Sequence, residues 1–249
     1  MSQPMNQVKQ RTITLLLPTL NEVDGFKQIF HTIDKNLFDA ILVVDGGSTD
    51  GTVEYAVEHN VPILSQLRKG LGYGVMDAIS MLKTDCVIEF SLDGNCMVEQ
   101  LPEIVKRLRE GYDLVIVSRY LPPAKSHDDN IVTAFGNWMF TMMMRGLGTF
   151  PLTDSLTMYR GYDVNITHYP EFQRFLRATH FQPLTSAVAM ARNLKIFEVP
   201  GDEPKRIGGK SKMSVFNNGT GILIMLIRMY IFKWFCLKKK ITPPEKNGI

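Results

Sequence analysis

The strongest constraint on the fold is a regular alternation of apolar, β-rich runs with stretches of helical spacing. Helical spacing occurs, for example, at Ile29, Ile33 and Leu37 and again at 104–108. Several of the β-rich runs are almost wholly apolar, as expected for strands that are covered on both faces. The pattern predicts an α/β fold with a mainly parallel central sheet flanked by helices. The predicted strands are residues 12–17, 40–44, 63–67, 87–91, 114–118 and 195–199.

Polar and glycine-rich segments follow the first four of these runs, where a parallel sheet binds its ligands. They read PTLNE at 18–22, DGGSTDGT at 45–52, RKGLGYG at 68–74 and SLDGN at 91–95, and a basic loop, RIGGKSK, occupies 206–212. Each segment alone is also typical of a structural turn, a helix cap or a solvated basic loop. Their common position at one predicted edge of the sheet favours a ligand site.

The residue types in these segments suit a phosphorylated nucleotide. Glycines beside cations at a helix N-terminus, as in 68–74, bind phosphate, and an acid such as Asp45 can bind ribose hydroxyls. Asp93 and Asn95 place two oxygen ligands beyond a buried strand, where they can hold a hard divalent ion. The cations of 206–212 can close over an anionic ligand.

The same segments resemble the family 2 glycosyltransferases of GT-A fold, and within them the dolichyl-phosphate mannosyltransferase-like branch of polyprenyl-phosphate sugar transferases. PTLNE with DGGSTDGT is highly characteristic of that family, and the SRY of 118–120 and the 206–212 run resemble the branch. The resemblance implies a GT-A nucleotide-diphospho-sugar transferase fold and a metal-dependent hexosyltransferase that inverts the anomeric carbon. It also implies a UDP- or GDP-sugar donor and Mg²⁺ or Mn²⁺ as cofactor.

Carried over by position, the resemblance assigns a role to each matching residue. Asp93 and Asn95 would bind the metal, and Asp93, Asp154 and Arg206 would be catalytic. The nucleotide sugar would be bound by Pro18, Asn21, Glu22, Asp45, Gly70, Gly72, Asp77, Arg119 and Lys212.

One departure from the family pattern concerns the metal motif D-x-D, whose second acid is Asn95 here. An amide oxygen can ligate Mg²⁺ or Mn²⁺ but brings no charge. We therefore expect metal binding to depend on the donor diphosphate. A non-catalytic nucleotide-sugar-binding scaffold is an alternative hypothesis.

The acceptor decides whether a general base is needed. A polyprenyl phosphate is already ionised near neutral pH, whereas a sugar hydroxyl in surface polysaccharide or lipopolysaccharide assembly needs a positioned carboxylate or His. The candidate bases are Asp154, Asp128, Asp129 and His127. Around Asp154 the chain lacks the glycine of the family's pattern, which weakens the transfer of acceptor-site details.

The C-terminal part concentrates the basic charge. Residues 205–240 hold nine Lys and Arg and no Asp or Glu, whereas the whole chain has a net charge of only +3. Residues 222–237 are sixteen residues, apolar except for Arg228 and Lys233, short of the roughly 20 that span a bilayer. This pattern predicts an interfacial helix on a membrane surface. A terminal core helix or an oligomer contact is the alternative.

Other classes fit poorly. The basic stretch is interleaved with apolar residues and shows no nucleic-acid-binding motif, so we expect no nucleic acid partner. Three cysteines without a C-x-x-C pair favour a reducing compartment, and the N-terminus has no apolar signal region. We expect a cytoplasmic protein, peripheral on the inner face of the plasma membrane. Residues 1–212 would be the GT-A domain and 213–249 the basic, apolar membrane-associating segment.

Overall fold

A central sheet of seven strands organises the protein. The computed structural model describes residues 10–128, 131–207 and 215–239, the last with side chains from 217 to 235. The strands are β1 (Ile13–Thr19), β2 (Ala40–Asp45), β3 (Ile63–Ser65), β4 (Cys86–Glu89), β5 (Leu114–Ser118), β6 (Arg160–Asp163) and β7 (Ile196–Pro200). Their order across the sheet is β3-β2-β1-β4-β6-β5-β7.

Only β6 runs against the other strands of this sheet. It pairs antiparallel with both β4 and β5, whereas all other neighbouring pairs are parallel. The carboxyl ends of the six remaining strands therefore meet at one edge. The prediction of a mainly parallel α/β sheet is confirmed.

Helices cover both faces of the sheet. They are α1 (Val23–Ile29), α2 (Thr52–Glu58), α3 (Leu71–Met81), α4 (Leu101–Arg109), α5 (Ile131–Arg145), α6 (Pro170–Phe175), α7 (Phe181–Ala191) and α8 (Val215–Lys239). Successive strand residues such as Leu15 and Leu16 are both buried but belong to different core clusters. Alternate side chains of a strand therefore pack into the cores on opposite faces of the sheet. Because both faces are buried, the strand sequences are unbroken apolar runs.

Two local predictions were wrong. Ile29, Ile33 and Leu37 do not share one helix, because α1 ends at Ile29 and two short 3₁₀ turns follow. Strand β6 was not predicted, since its sequence RGYD contains two charged residues and a glycine. Both charges are buried, and the pairing with two neighbours outweighs the poor intrinsic preference.

The C-terminal helix α8 packs on the domain. Ile222, Met225, Leu226 and Met229 are buried and belong to the same core cluster as residues of α5 and α7. In the part of the chain that the structure describes, no helix is long and apolar enough to cross a membrane.

Candidate active site

The predicted segments converge on one cavity of about 610 Å³ at the carboxyl edge of the sheet. Four of them lie at the ends of β1 to β4, and Arg206 reaches the cavity from the segment after β7. Of the residues with a predicted role, those that line the cavity are Pro18, Glu22, Gly70, Asp93, Asn95, Arg119 and Arg206. As predicted from the sequence, residues of these segments lie together at one edge of the sheet.

The turns after β1 and β2 hold one another in place. Asn21 has a left-handed backbone (φ 58°), and its side-chain oxygen accepts a hydrogen bond of 2.8 Å from the Thr49 backbone N–H. The buried Asp45 carboxylate accepts from the backbone N–H groups of Gly47 (2.9 Å) and Ser48 (3.1 Å). Asn21 and Asp45 therefore shape the loops beside the cavity, and neither is a lining residue. Direct contact of these two with a nucleotide stays a prediction.

The turn before α3 needs glycine. Gly70 has φ +115°, and a Cβ there would lie 2.4 Å from the Ala178 Cβ. Gly72 donates its N–H to the Ala178 carbonyl at 2.8 Å, and a Cβ on it would lie 2.9 Å from the Arg177 carbonyl oxygen. The two glycines bring the start of α3 against residues 177–178, which leaves Lys69 and Gly70 on the cavity wall.

Asp77 lies on the same helix but outside the cavity lining. Its carboxylate is paired with the Arg68 guanidinium. A contact of Asp77 with the base or ribose therefore stays a prediction.

Asp93 and Asn95 form a small polar cluster with Arg206, which also lines the cavity, and with Asp128, which is not a lining residue. The Asn95 backbone N–H donates to the Asp93 carboxylate at 3.0 Å, and the Asn95 amide lies 3.4 Å from Asp128 Oδ2. The Arg206 guanidinium is 3.5 Å from Asp93 Oδ2 and 3.4 Å from Asp128 Oδ2. Arg206 thus sits between two carboxylates at the position where the motif predicts a cation.

The donor atoms in this cluster fit a hard divalent ion. Asn95 Oδ1 is buried without a hydrogen-bond partner, next to the largely buried carboxylate of Asp93. Oxygen ligands of this kind are those that Mg²⁺ and Mn²⁺ prefer. No group of three His, Cys, Asp or Glu gathers into a metal site within the described ranges.

Asp154, a predicted general base, is enclosed by other protein groups and does not reach the cavity. Its side chain is fully buried, and Arg119 binds it through two hydrogen bonds of 2.7 Å and 3.1 Å. Its carboxylate also accepts from the backbone N–H groups of Leu156 and Thr157. Burial alone would raise the pKa of Asp154, but the charge and hydrogen bonds of Arg119 outweigh it and hold the pKa below its ordinary value. A carboxylate so enclosed and so weakly basic does not suit proton abstraction from an acceptor.

Arg119 joins this buried pair to the cleft. It binds Glu203 with its remaining nitrogen at 3.2 Å, and Glu203 is itself a lining residue. Only 13% of the Arg119 side chain is exposed. The guanidinium is therefore mainly a structural cation between Asp154 and Glu203.

The family assignment rests on a sequence comparison that covers most of this site. The sequence model described as Glycosyl transferase family 2 matches residues 14–181, more than half of the chain. The chain belongs to glycosyl transferase family 2. The resemblance drawn from the five segments is confirmed.

Relatives of this family 2 glycosyl transferase span nearly its whole length. An uncharacterised glycosyltransferase of Mycobacterium tuberculosis is 28% identical over 214 residues, which cover 86% of this chain and 94% of the relative. The UDP-N-acetylglucosamine–dolichyl-phosphate N-acetylglucosaminyltransferase of Methanococcus voltae is 22% identical over 214 residues, or 76% and 84% of the two chains.

Solved structures agree on the fold. Glucosyl-3-phosphoglycerate synthase from Mycobacterium tuberculosis, crystallised with Mn²⁺, UDP and glucosyl-3-phosphoglycerate, superposes with a TM-score of 0.68 at 19% identity, over 88% of this chain and 80% of that chain. This similarity shows that the protein has the predicted GT-A fold.

Several cleft residues of this family 2 glycosyl transferase escaped the sequence prediction. Gln66 was detectable, since it directly follows β3. Gln182 is the second residue of α7 and Tyr159 comes from an irregular segment, and neither carried a sequence signal. Lys212, predicted to bind phosphate, lies outside the described residues.

A buried polar network supports the cavity at Gln182. Gln182 donates its side-chain amide to Glu89 at 2.7 Å, and the Tyr162 hydroxyl donates to the same carboxyl at 3.0 Å. The fully buried Arg160 donates to the Gln182 carbonyl at 2.7 Å and to the Thr157 carbonyl at 2.9 Å. Because Gln182 and Thr157 both line the cavity, this network fixes part of its wall.

Proposed function

We propose that this family 2 glycosyl transferase moves a sugar, with inversion, from a nucleotide-sugar donor to a polyprenyl phosphate or a related lipid-linked acceptor. The observation that carries the proposal is that one cavity brings together residues of the segments that resemble the family, among them the Asp93–Asn95 pair and the cations Lys69 and Arg206. The dolichyl-phosphate transferase of Methanococcus voltae, similar over 76% of this chain, supports the lipid-linked acceptor.

In the proposed donor complex, the ends of β1 and β3 hold the nucleotide. Pro18 and Glu22 line one side of the cavity, and Gln66, just after β3, and Gly70, just before α3, line it as well. Thr19 Oγ1 is buried there without a hydrogen-bond partner, so a ligand atom would satisfy it. A UDP-sugar is the first donor to test, because the structural neighbour was crystallised with UDP.

Asp93 and Asn95 would hold the divalent metal, which when bound neutralises charge on a diphosphate leaving group. Arg206 lies 3.5 Å from Asp93, close enough to supply a fixed positive charge to the same diphosphate. Lys69, exposed on the cavity wall, adds a second cation. These residues would stabilise the departing nucleoside diphosphate while the acceptor oxygen attacks the sugar C1.

A lipid monophosphate needs no deprotonation to attack, which agrees with the enclosed state of Asp154. We therefore revise the role of Asp154 from general base to a positioning residue that holds Arg119 and, through it, Glu203. Arg119 would contribute to the donor site through this arrangement and not as a free cation.

A sugar hydroxyl is the second candidate acceptor, and one observation favours it. Asp202 and Glu203 bring two carboxylates to the cleft wall, and a carboxylate there can serve as a general base. Substitution of Asp154 does not separate the two acceptors, since it would disturb Arg119 in either case. Direct competition between acceptors does.

The test is transfer by the purified full chain from UDP- and GDP-sugars, with Mn²⁺ or Mg²⁺, to a short-chain polyprenyl monophosphate in detergent or to a free oligosaccharide. We expect glycosylated lipid phosphate, and loss of turnover in Asp93→Ala. Product only with the oligosaccharide would favour the hydroxyl acceptor. Donor binding without turnover by any acceptor would favour a scaffold and contradict the proposal.

The proposed acceptor also sets the place of action. A peripheral position on the inner face of the plasma membrane would bring the cleft to both cytoplasmic donors and lipid-linked acceptors. The C-terminal part at 213–249 is the proposed membrane-associating segment, on the strength of its basic and apolar composition.

A further inference from the structure

The outer side of α5 is apolar, although α5 already buries another side in the core. Phe140 and Met144 are buried, whereas Ile131, Phe135 and Trp138 are exposed, with Trp138 leaving 58% of its surface uncovered. The exposed three are spaced by four and three residues, so they lie on one side of the helix. Phe135 and Trp138 are also in ring contact, with centroids 5.7 Å apart.

The helix α8 is apolar on two sides as well. Its inner side includes Ile222, Met225 and Met229, which are buried. Its outer side exposes Ile224, Ile227, Ile231, Trp234 and Phe235. A helix that is apolar all round normally lies inside a protein or against a membrane, and α8 is covered by the domain on one side only.

The two helices are packed against each other. The Tyr230 hydroxyl of α8 donates to the Met143 carbonyl of α5, and Gly219 of α8 lies against the Phe140 ring. The exposed apolar residues of both helices therefore belong to one packed pair. We call them the α5–α8 face: Ile131, Phe135, Trp138, Ile224, Ile227, Ile231, Trp234 and Phe235.

The charge of the two helices favours an anionic binding partner for the α5–α8 face. Neither α5 nor α8 contains an Asp or Glu, whereas α8 carries Arg228, Lys233, Lys238 and Lys239. Exposed apolar and aromatic side chains on helices that carry cations and no acids suit the headgroup region of an anionic bilayer, and the acids nearest in the chain, Asp128 and Asp129, precede α5. A second copy of the chain would bring like charges together, which disfavours self-association through this face.

We propose that the α5–α8 face docks on an anionic lipid bilayer and turns the mouth of the cleft toward it. The inference rests on the proposed function, since it names the surface from which a lipid-linked acceptor would enter. Its link to the cleft is short: α5 begins at Ile131, just after Asp128, whose carboxylate lies 3.4 Å from Arg206 in the cavity. Docking through α5 therefore brings Asp128 and the cavity residue Arg206 toward the headgroups.

The full chain allows a sharp test, because both of its tryptophans, Trp138 and Trp234, belong to this face. The probes are vesicles of phosphatidylglycerol with phosphatidylcholine, and vesicles of phosphatidylcholine alone. We expect cosedimentation with the anionic vesicles only, together with quenching of the tryptophan fluorescence by brominated lipid. Binding should weaken at high salt, because exposed charges are screened.

Variants locate the contact. Phe135→Ser with Trp138→Ser on α5, and separately Ile227→Ser with Ile231→Ser on α8, should each lower the vesicle partition coefficient by about tenfold or more. The matched control is Val57→Ser, which replaces an exposed apolar residue of α2 and should leave binding unchanged. All proteins are first compared by circular dichroism and thermal unfolding.

Three outcomes would overturn the inference. They are wild-type binding that is equal on neutral vesicles, an α5 variant that binds like the wild type, and a vesicle-free dimer that the same substitutions dissociate. Transfer to polyprenyl monophosphate in detergent, without vesicles, tests the proposed function separately. If transfer persists there but docking fails, only this inference is wrong, and if transfer fails while docking persists, only the proposed acceptor is wrong.

Discussion

At the scale of single residues, the clearest division of labour is between carboxylates that face the cavity and carboxylates that build it. Asp93 reaches the cavity and has Arg206 as its nearby charge, whereas Asp154 is fully enclosed by Arg119 and backbone N–H groups. The sequence shows an acid beyond a strand in one case and an acid in a loop in the other. It does not show which acid has a buried arginine as partner, because that arginine lies 35 residues away.

Substitution of Asp154 tests its role as a positioning residue. We expect Asp154→Asn to destabilise the fold by about 3–5 kcal/mol, because the nearly buried Arg119 loses the buried carboxylate that binds two of its nitrogens. The double variant Asp154→Leu with Arg119→Met removes both charges and should recover part of that loss. Urea unfolding of the three proteins measures the effect. An Asp154→Asn protein as stable as the wild type, but with a lost acidic limb in its pH–rate profile, would restore Asp154 as the general base.

Glu89 gives the fold a predicted pH dependence. Burial raises the pKa of this carboxyl to about 7, against the opposing charge of Arg160 and two hydrogen bonds, from an ordinary value of 4.5. The folded state therefore binds the proton more tightly than the unfolded chain. The stability from this group is complete below pH 4.5 and is lost as the pH rises toward 7.

The variant Glu89→Gln mimics the protonated carboxyl at every pH. Its unfolding free energy should be close to that of the wild type at pH 5 and exceed it by about 2–3 kcal/mol at pH 8. Denaturant unfolding at the two pH values measures this difference. A difference that stays constant between them would show that Glu89 is ionised throughout.

At the scale of elements, α3 and α5 offer a contrast between two helical glycines. A Cβ on Gly72 would lie 2.9 Å from the Arg177 carbonyl oxygen and 3.0 Å from Phe181 Cβ, whereas no atom lies within 4 Å of a Cβ on Gly136. We expect Gly72→Ala to destabilise by about 1–2 kcal/mol and to weaken donor binding, since the wall at Gly70 must shift. Gly136→Ala should stabilise by about 0.5–1 kcal/mol. Thermal unfolding of both variants measures these stability changes. Equal changes in the two variants would contradict the packing argument.

Strands were predictable where their sequence was a continuous apolar run. The run LVIVS became β5 with the predicted bounds, since every residue in it is buried. The run RGYD became β6 although it looks polar, because Arg160 bonds to carbonyls and Tyr162 to Glu89 across the interior. The bonds from Arg160 to the Gln182 carbonyl and from Tyr162 to Glu89 join residues 22 and 73 positions apart, so a local pattern does not reveal them. The position of the site was predictable because its glycines and acids directly follow strands in the sequence.

At the scale of the whole molecule, the acids of the cavity and the exposed apolar surface belong to different elements. The donor cavity is lined by the acids Glu22, Asp93, Asp202 and Glu203, whereas α5 and α8 have no acid at all. The metal would offset part of that acidity in the cavity when a diphosphate binds. The helices α5 and α8 present exposed apolar residues, and α8 carries cations. This arrangement is consistent with an enzyme whose donor is soluble and whose acceptor is held at a surface.

The last prediction concerns whether the C-terminal helix is a separate segment or part of the domain. The sequence suggests a boundary at residue 212, but α8 buries Ile222, Met225, Leu226 and Met229 in the main core cluster. Burial of an aliphatic side chain of this size contributes about 1.5–3 kcal/mol. A chain ending at residue 212 loses all four contributions, and it exposes the apolar surfaces of α5 and α7 that α8 covers.

We therefore expect the 1–212 chain to lose several kcal/mol of stability, and to aggregate or melt without a cooperative transition. A chain ending at Lys239 keeps α8 whole and is the matched control. Thermal unfolding and gel filtration of both, in the same buffer and without lipid, measure the difference. If the 1–212 chain stays monomeric and melts at the temperature of the control, α8 contributes nothing to the core and its only role is outside the domain.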